Sequence, residues 1–255
     1  MLATERQQKI IGILQKSGAV TTANLVETFD VSVETIRRDL LFLEQQGSLS
    51  RVHGGAVTKG DMKPFANLEQ RNLEFVPQKV SLAQKAMAFI SEGDVIAVDE
   101  GSTAILFAKA LKEHFDTLTV ITHSLDVFNL LNQHKNFQLI LCGGHFLRQE
   151  NAFFGPLVLG TLRSLHVQKA FIFPSAVSLA HGIADYQSDL FPIQQQLIAI
   201  ADTVFVLADS SKFEKAALLK VSDMCNDYVY ITDTDLSDDL MNVYAENGIT
   251  VFRAD

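Results

Sequence analysis

Val31-Ser-Val-Glu-Thr-Ile-Arg-Arg-Asp-Leu-Leu-Phe-Leu43 decides how this 255-residue chain is read. Ser32 is placed to cap a helix, because its hydroxyl can accept from the free amides of the first turn. Val33, Ile36, Leu40 and Leu43 recur at spacings of three, four and three, so they share one helical face. At about 100° per residue, Arg38 falls opposite that face, Arg37 falls on its flank, and Glu34 and Thr35 lie outside it. A short helix that buries one side and offers arginine on the other suits the DNA major groove. An ordinary surface helix with a solvated charged face has the same pattern.

The neighbouring segments favour DNA. Glu5 to Ser17 is helical in pattern, with Ile10, Ile13 and Leu14 on one face and Gly18 as a stop. Thr21 or Thr22 caps a second short helix, in which Leu25, Val26 and Phe29 can face inward. Asp30-Val31 is the tight connection into the arginine helix, and Gly47 ends it. Ser48 to His53 alternates like a strand and runs into Gly54-Gly55, a turn signal. Three short helices and a small hairpin describe a winged helix-turn-helix. Its third helix would enter the groove, and its hairpin, with Arg51, His53 and Gly54, would lie along the phosphates.

Residues 5–57 resemble the N-terminal domain of the DeoR family of bacterial transcriptional regulators. The resemblance rests on Glu5-Arg6, Ile10, Leu14, Leu25, Val31-Ser32, Thr35-Ile36-Arg37-Arg38-Asp39-Leu40, Leu43, Gly47, Arg51 and His53-Gly54-Gly55-Ala56. It implies sequence-specific binding to double-stranded operator DNA, with repression as the family default.

Composition agrees with that reading once the chain is divided. The formal net charge is −9, which looks wrong for a DNA binder. Residues 1–60 hold seven Lys or Arg against six Asp or Glu, and the remainder holds 14 against 24. The DNA-facing part is therefore near neutral and the rest acidic. Affinity for DNA grows with the number of phosphates neutralised, so a weakly basic reader is expected to act as a homo-oligomer, dimer or tetramer. No apolar run reaches membrane-spanning length and nothing near the start reads as a signal peptide. Two cysteines, Cys142 and Cys225, are too few for a disulfide framework. Both points lead us to expect a cytoplasmic protein without membrane association.

Residues 58–78 read as a linker and 79–255 as a second domain. Apolar runs at Val95–Asp99, Leu118–Thr122, Phe137–Cys142, Ala170–Phe173, Val204–Asp209, Tyr228–Thr232 and Thr250–Phe252 read as strands. Helical stretches such as Ala104–His114, Leu125–His134 and Ile193–Ala201 lie between them. Continuous apolar strands alternating with helices describe a doubly wound, mostly parallel α/β domain. Ligands in such folds sit at the carboxyl ends of strands, beside helix N-termini.

Four segments fall at strand ends: Asp99-Glu-Gly-Ser-Thr103, Thr122-His-Ser124, Cys142-Gly-Gly144 followed by Arg148, and Asp209-Ser-Ser-Lys212. They offer hydroxyls, free amides and two cations, a chemistry suited to phosphate on a polyol. Gly101 permits close backbone approach, and Ser102 and Thr103 stand at a helix start. Each signal has a plainer reading: Ser102-Thr103 or Ser124 as helix caps, Gly143-Gly144 as a turn, Lys212 as a surface lysine.

The order of these segments is similar to that in the DeoR-family sensor domain, and Lys79 matches a lysine that commonly opens it. That resemblance implies a fold like ribose-5-phosphate isomerase and a phosphorylated sugar as effector. Asp99, Gly101, Ser102, Thr103, Ser124, Gly143, Gly144, Arg148 and Lys212 are the expected contacts. Several positions depart from the family pattern: Phe173-Pro-Ser-Ala176 replaces a small glycine-rich loop, and His123 stands where Asn is frequent. Leu190, Pro192 and Gln194 occupy positions often acidic or lysine, and Glu100 adds negative charge beside the phosphate loop. The departures leave a free sugar open as the effector.

An isomerase-like enzyme fused to a DNA reader is the alternative. Turnover would need a general base, for which Asp99, Glu100 and Asp209 are the candidates, and no second acid–base partner follows from spacing. None of the seven histidines forms a metal-ligand pair with Cys or another His. The expectation is a regulator without enzymatic activity, cofactor or metal.

Overall fold

A computed structural model describes residues 3–17, 19–46, 48–52, 54–58 and 67–254. The N-terminal unit runs α1 (Ala3–Ser17), β1 (Ala19–Thr21), α2 (Thr22–Phe29), α3 (Val33–Gln45), β2 (Leu49–Val52) and β3 (Gly55–Thr58). The three strands form an antiparallel sheet in the order β1-β3-β2. Thr21 caps α2, its hydroxyl accepting from the Asn24 amide at 3.0 Å, and Ser32 caps α3 by accepting from the Thr35 amide at 3.2 Å. Asp30 makes the sharp connection in the left-handed region, φ 49°, which Asp tolerates better than most residues.

Ile10, Leu14, Leu25, Phe29, Ile36, Leu40 and Leu43 pack into one core, with Val26 and Ile13 against it. Val33 departs from the expected stripe and is 45% exposed. It is the first residue of α3, a turn before Ile36, where the three-helix core begins. Asp39 is buried in that core. The sequence-expected stops at Gly18 and Gly47, and the wing residue His53, lie outside the described residues.

The second unit begins with α4 (Leu68–Arg71) and α5 (Val76–Met87), followed by β4 (Val95–Val98), α6 (Ser102–His114), β5 (Thr119–Thr122), α7 (Leu125–Leu131) and β6 (Gln138–Leu141). A hairpin, β7 (His145–Leu147) and β8 (Ala152–Phe154), leads to α8 (Pro156–Arg163) and β9 (Val167–Ile172). Then come β10 (Ala176–Ser178), β11 (Gly182–Asp185), α9 (Phe191–Ala199), β12 (Ala201–Leu207), β13 (Leu219–Ser222), β14 (Val229–Thr232), α10 (Asp238–Glu246) and β15 (Val251–Arg253).

Seven strands pair, all in parallel, in the order β15-β14-β12-β9-β4-β5-β6. They are supplied by the seven apolar runs of the sequence. Helices cover both faces, so alternate side chains enter different cores. Ile96 and Val98 join Phe107, Val120, Phe171 and Phe205 on one face, whereas Ala97 joins Val158, Ile172, Val206 and Tyr230 on the other. This is the doubly wound architecture expected from the sequence. The small β10-β11-β13 sheet and the β7-β8 hairpin are additions whose strands, three or four residues long, are too brief to show a period.

The strand order positions the site. From β4 the chain proceeds outward through β5 and β6, then returns to β9 on the other side of β4 and continues to β12, β14 and β15. The order therefore reverses between β4 and β9. In folds of this kind ligand crevices lie at the carboxyl end of such a reversal, because the two connections leave in opposite directions. Asp99-Glu100-Gly101 leaves β4 there, and Phe173-Pro174 leaves β9.

Candidate functional site

Two surfaces carry chemistry. On the first unit, the Arg37 and Arg38 side chains are 67% and 80% exposed, and each forms a loose ion pair with Glu34, at 3.9 and 3.8 Å. Thr35 shares a 2.9 Å hydroxyl contact with the cap Ser32. Arg51 on β2 anchors the wing to α3, its amide donating to Glu44 Oε1 at 2.8 Å. Gly54 takes φ 88° at the wing turn, and its carbonyl accepts from the Thr22 amide at 2.7 Å. Arg37 also lines a cleft of about 620 Å³ shared with Leu40, Arg51, Gly54, Leu218 and Leu219. The polar face of α3 is thus an arginine surface backed by a core.

The orientation of that face depends on Asp39. Arg6 Nε donates to its Oδ2 at 2.5 Å, and Gln7 Nε2 donates to its Oδ1 at 2.8 Å. Both carboxylate oxygens are held by α1, which sets the rotation of α3 and so the direction of Arg37 and Arg38.

On the second unit, the crevice at β4 and β9 gathers more charge than the strand-end motifs alone suggest. Asp99 is fully buried. Its Oδ1 lies 3.0 Å from His123 Nε2, and its Oδ2 accepts from Gln194 Nε2 at 2.8 Å. The same Gln194 nitrogen reaches Asp185 Oδ2 at 3.1 Å, and His123 Nδ1 meets the Phe153 carbonyl at 2.9 Å. Gly101, φ 114°, is the N-cap of α6 and has no side chain to bond its first-turn amides. Ser102 and Thr103, both buried, open that helix.

Cations and further carboxylates close the crevice. Arg71 of α4 bonds Glu150 through Nη2, and a Cβ on Gly101 would lie 3.7 Å from Arg71 Nη1. The guanidinium therefore covers the α6 N-cap. Glu150 also accepts from Gln187 Nε2 at 2.9 Å. Lys79 Nζ donates to the carbonyls of Arg71 at 2.6 Å and Glu74 at 2.7 Å. Lys212 Nζ donates to the Pro174 carbonyl at 2.8 Å. Burial, then the charges of Glu150 and its neighbours, push the Glu100 carboxyl well above the usual range. Burial raises Glu150 as well, with Arg71 opposing. Lys79 is lowered to about 8, by burial first and then by Lys212, and Lys212 is lowered chiefly by burial. Three buried polar atoms here have no partner among the described residues: Glu100 Oε2, Thr103 Oγ1 and Gln194 Oε1. Such atoms cost free energy unless something hydrogen-bonds them, which marks the crevice as a place for a polar ligand.

The sequence-derived residues separate accordingly. Asp99, Gly101, Ser102, Thr103 and Lys212 converge on the crevice. Ser124 is committed to capping α7, accepting from the Val127 amide at 3.3 Å. Gly144 is required by packing, since a Cβ there would meet the Phe154 carbonyl oxygen at 2.5 Å, and Gly143 is exposed. Arg148 is exposed on the β7–β8 turn, and the member of that turn that reaches the crevice is Glu150. Sequence reasoning missed Arg71, Glu150, Asp185 and Gln187. Arg71 and Glu150 are 79 residues apart, a distance at which no local spacing signals a contact. His123 and Gln194 were visible only as departures from the family pattern.

An arginine-faced winged helix-turn-helix joined to an α/β domain with a polar crevice at its switch point defines a ligand-responsive DNA-binding protein. Residues 6–60 match the DeoR-like helix-turn-helix domain and residues 74–234 match the DeoR C terminal sensor domain. The chain belongs to the DeoR family and is a DNA-binding transcriptional regulator. It is 33% identical to the uncharacterized HTH-type transcriptional regulator YulB of Bacillus subtilis, over 92% of this chain and 91% of that one. It is 32% identical to the lactose phosphotransferase system repressor of Lactococcus lactis, over 98% of each chain. It is 30% identical to the L-fucose operon activator of Haemophilus influenzae, over 96% of this chain and 97% of that one. No helix among the described residues is long and apolar enough to cross a membrane.

Proposed function

We propose that this regulator is a cytoplasmic homo-oligomer that represses genes of sugar metabolism and releases its operator when a phosphorylated sugar enters the β4–β9 crevice. The observation that carries the reading is the conjunction, in one crevice, of an uncapped helix N-terminus, a guanidinium and orphaned buried polar atoms. Amides and the guanidinium suit a phosphate, while Asp99 suits sugar hydroxyls as an acceptor. Two of the named relatives regulate carbohydrate genes, which supports the choice of ligand class, and the Lactococcus repressor supports the sign. The weakly charged DNA-binding unit supports an oligomer, because one copy neutralises few phosphates.

Fluorescence anisotropy on the DNA upstream of the chain's own gene tests the reading. Binding should be specific and should weaken on adding a member of a sugar-phosphate panel. Ligand-enhanced binding would replace repression by activation, and indifference to both free and phosphorylated sugars would remove the sensor reading. Sedimentation of the free protein decides the oligomer, and a strictly monomeric species bound singly to a tight operator would refute it.

A further inference from the structure

The short helix α4 lies between the DNA-binding unit and the sensor in sequence, in the stretch expected to be a plain linker. It places Arg71 against the effector crevice. Its guanidinium bonds Glu150, a carboxylate with a side chain only 1% exposed, and lies over Gly101 at the start of α6. Around it stand Ser102, Thr103 and Glu100, the hydroxyl of Thr103 and one carboxyl oxygen of Glu100 having no partner among the described residues. A pair of a buried Glu150 carboxylate and a part-buried Arg71 guanidinium beside an uncapped helix N-terminus is a poor device for stability alone, because the desolvation of the carboxylate offsets much of the attraction.

Resting on the reading of the crevice as a sugar-phosphate site, we propose that Arg71 is the effector-sensing cation: in the free protein it is held by Glu150, and a phosphate on the α6 N-terminus takes it over. The fork of five N–H donors lets a guanidinium bind phosphate bidentately, with the α6 amides and the Thr103 hydroxyl completing the set. Glu150 can surrender Arg71. Besides Arg71 it faces Gln187, a hydrogen-bond donor, and Asp185, which repels its charge. Burial already raises its carboxyl, which lowers the cost of losing the guanidinium.

The exchange has a mechanical output. Lys79 of α5 holds the Arg71 and Glu74 carbonyls, so the end of α4 and the start of α5 are tied together. A change of partner at Arg71 acts on the segment through which the chain reaches the DNA-binding unit. The two partners compete for one guanidinium, which gives the effector a differential affinity for two arrangements, as a switch requires.

The competition makes a prediction of opposite signs. Thermal shift and hydrogen exchange of the full chain would be measured with inorganic phosphate and with ribose 5-phosphate as probes. Glu150→Gln removes the competing carboxylate and should tighten phosphate binding, whereas Arg71→Gln should weaken it, each by roughly tenfold or more. Exchange protection across residues 67–79 should change on adding phosphate to the parent and not to Arg71→Gln. If Arg71→Gln fails to fold because Glu150 is left buried and unpaired, the double variant Arg71→Gln/Glu150→Gln removes both charges and should fold without binding phosphate. Weaker binding in both single variants would mean that the pair is only structural, and would overturn the proposal. Parent-like phosphate affinity in Arg71→Gln or the double variant would overturn it while leaving the crevice as the effector site. A parent that binds neither probe, nor any member of a sugar-phosphate panel, would sink the sugar-phosphate reading and this proposal together.

Discussion

Arg6 of α1 and Asp39 of α3 form a buried ion pair, Nε to Oδ2 2.5 Å, with side chains 8% and 5% exposed. Asp39 is thus the one residue of the Arg37-Arg38-Asp39 run whose side chain is buried. Its second oxygen is also held, by Gln7 at 2.8 Å. The pair converts the position of α1 into the angle of the arginine face.

Breaking it should be costly. Asp39→Ala leaves Arg6 buried without a counter-charge, and loss of one partner of a buried pair costs about 3–5 kcal/mol. For a unit of this size that is a large part of its stability. Hydrogen exchange in α1 and α3 is the measurement, and operator affinity should fall with it. Asp39→Asn keeps an acceptor for Arg6 or Gln7 and should lose less. Exchange as slow in Asp39→Ala as in the parent would show that the pair does not hold the two helices together.

The two arginines should separate by readout. Arg38 lies opposite the buried Ile36–Leu40 stripe and is the more exposed, so it is expected to contact base edges, with Arg37 on a phosphate. Arg38→Ala should cost about 1–3 kcal/mol and relax sequence preference, while Arg37→Ala should weaken all sequences alike and lower the salt slope by about one. Titrations on operator and scrambled duplexes at several salt concentrations separate the two effects. Equal losses on both duplexes for Arg38→Ala would reverse the roles.

Local chemistry made the DNA-reading half legible. Ser32 and the spacing of Ile36, Leu40 and Leu43 each act within a few residues and appear as read, whereas of the Gly54-Gly55 turn signal only Gly54 lies at the turn and Gly55 opens β3, paired with Val52. Val33 failed because a helix-wide period does not say where the neighbouring core stops. In the sensor, apolar runs announced the seven strands, since burial on both faces leaves little room for polar residues. The crevice was legible at the β4 end, where Asp99, Gly101, Ser102 and Thr103 sit together, and at Lys212 after β12. Its other wall, Arg71, Glu150, Asp185 and Gln194, is assembled by topology from four separate segments. No sequence signal distinguishes Arg148 from Glu150 on the β7–β8 turn, and it is Glu150 that reaches the crevice.

Glu100 should make the free protein's stability depend on pH. Burial raises its carboxyl above its value in the unfolded chain, so its native form is favoured as the neutral acid. For a raised group the contribution to stability is full below the unfolded value, near the ordinary carboxylate range, and is lost as pH rises through the folded value. Glu100→Gln keeps a neutral side chain at every pH. It should stabilise the protein by about 1–3 kcal/mol near neutrality, the scale of an uncompensated buried polar group. The gain should shrink as the solution is acidified. Denaturant midpoints at pH about 5 and about 8 check this, and a gain that grows on acidification would contradict the assigned direction.

Thr103 sets stability against function. Its hydroxyl is buried in the first turn of α6 without a partner among the described residues, and the residue itself is 1% exposed. Thr103→Val has nearly the same shape and removes only the polar atom, so the free protein should gain about 1 kcal/mol or stay level. If the hydroxyl is kept because it bonds the effector, the same substitution should weaken effector binding by roughly tenfold, the worth of one hydrogen bond to a charged group. Operator affinity without effector should be unchanged, because α6 is remote from α3 in the chain and faces the crevice. The effector concentration needed to release DNA should rise with the loss of binding. A variant that is less stable than the parent would show that the hydroxyl already has a partner in the free protein. A variant that is more stable yet releases DNA at the same effector concentration would place the effector away from the start of α6.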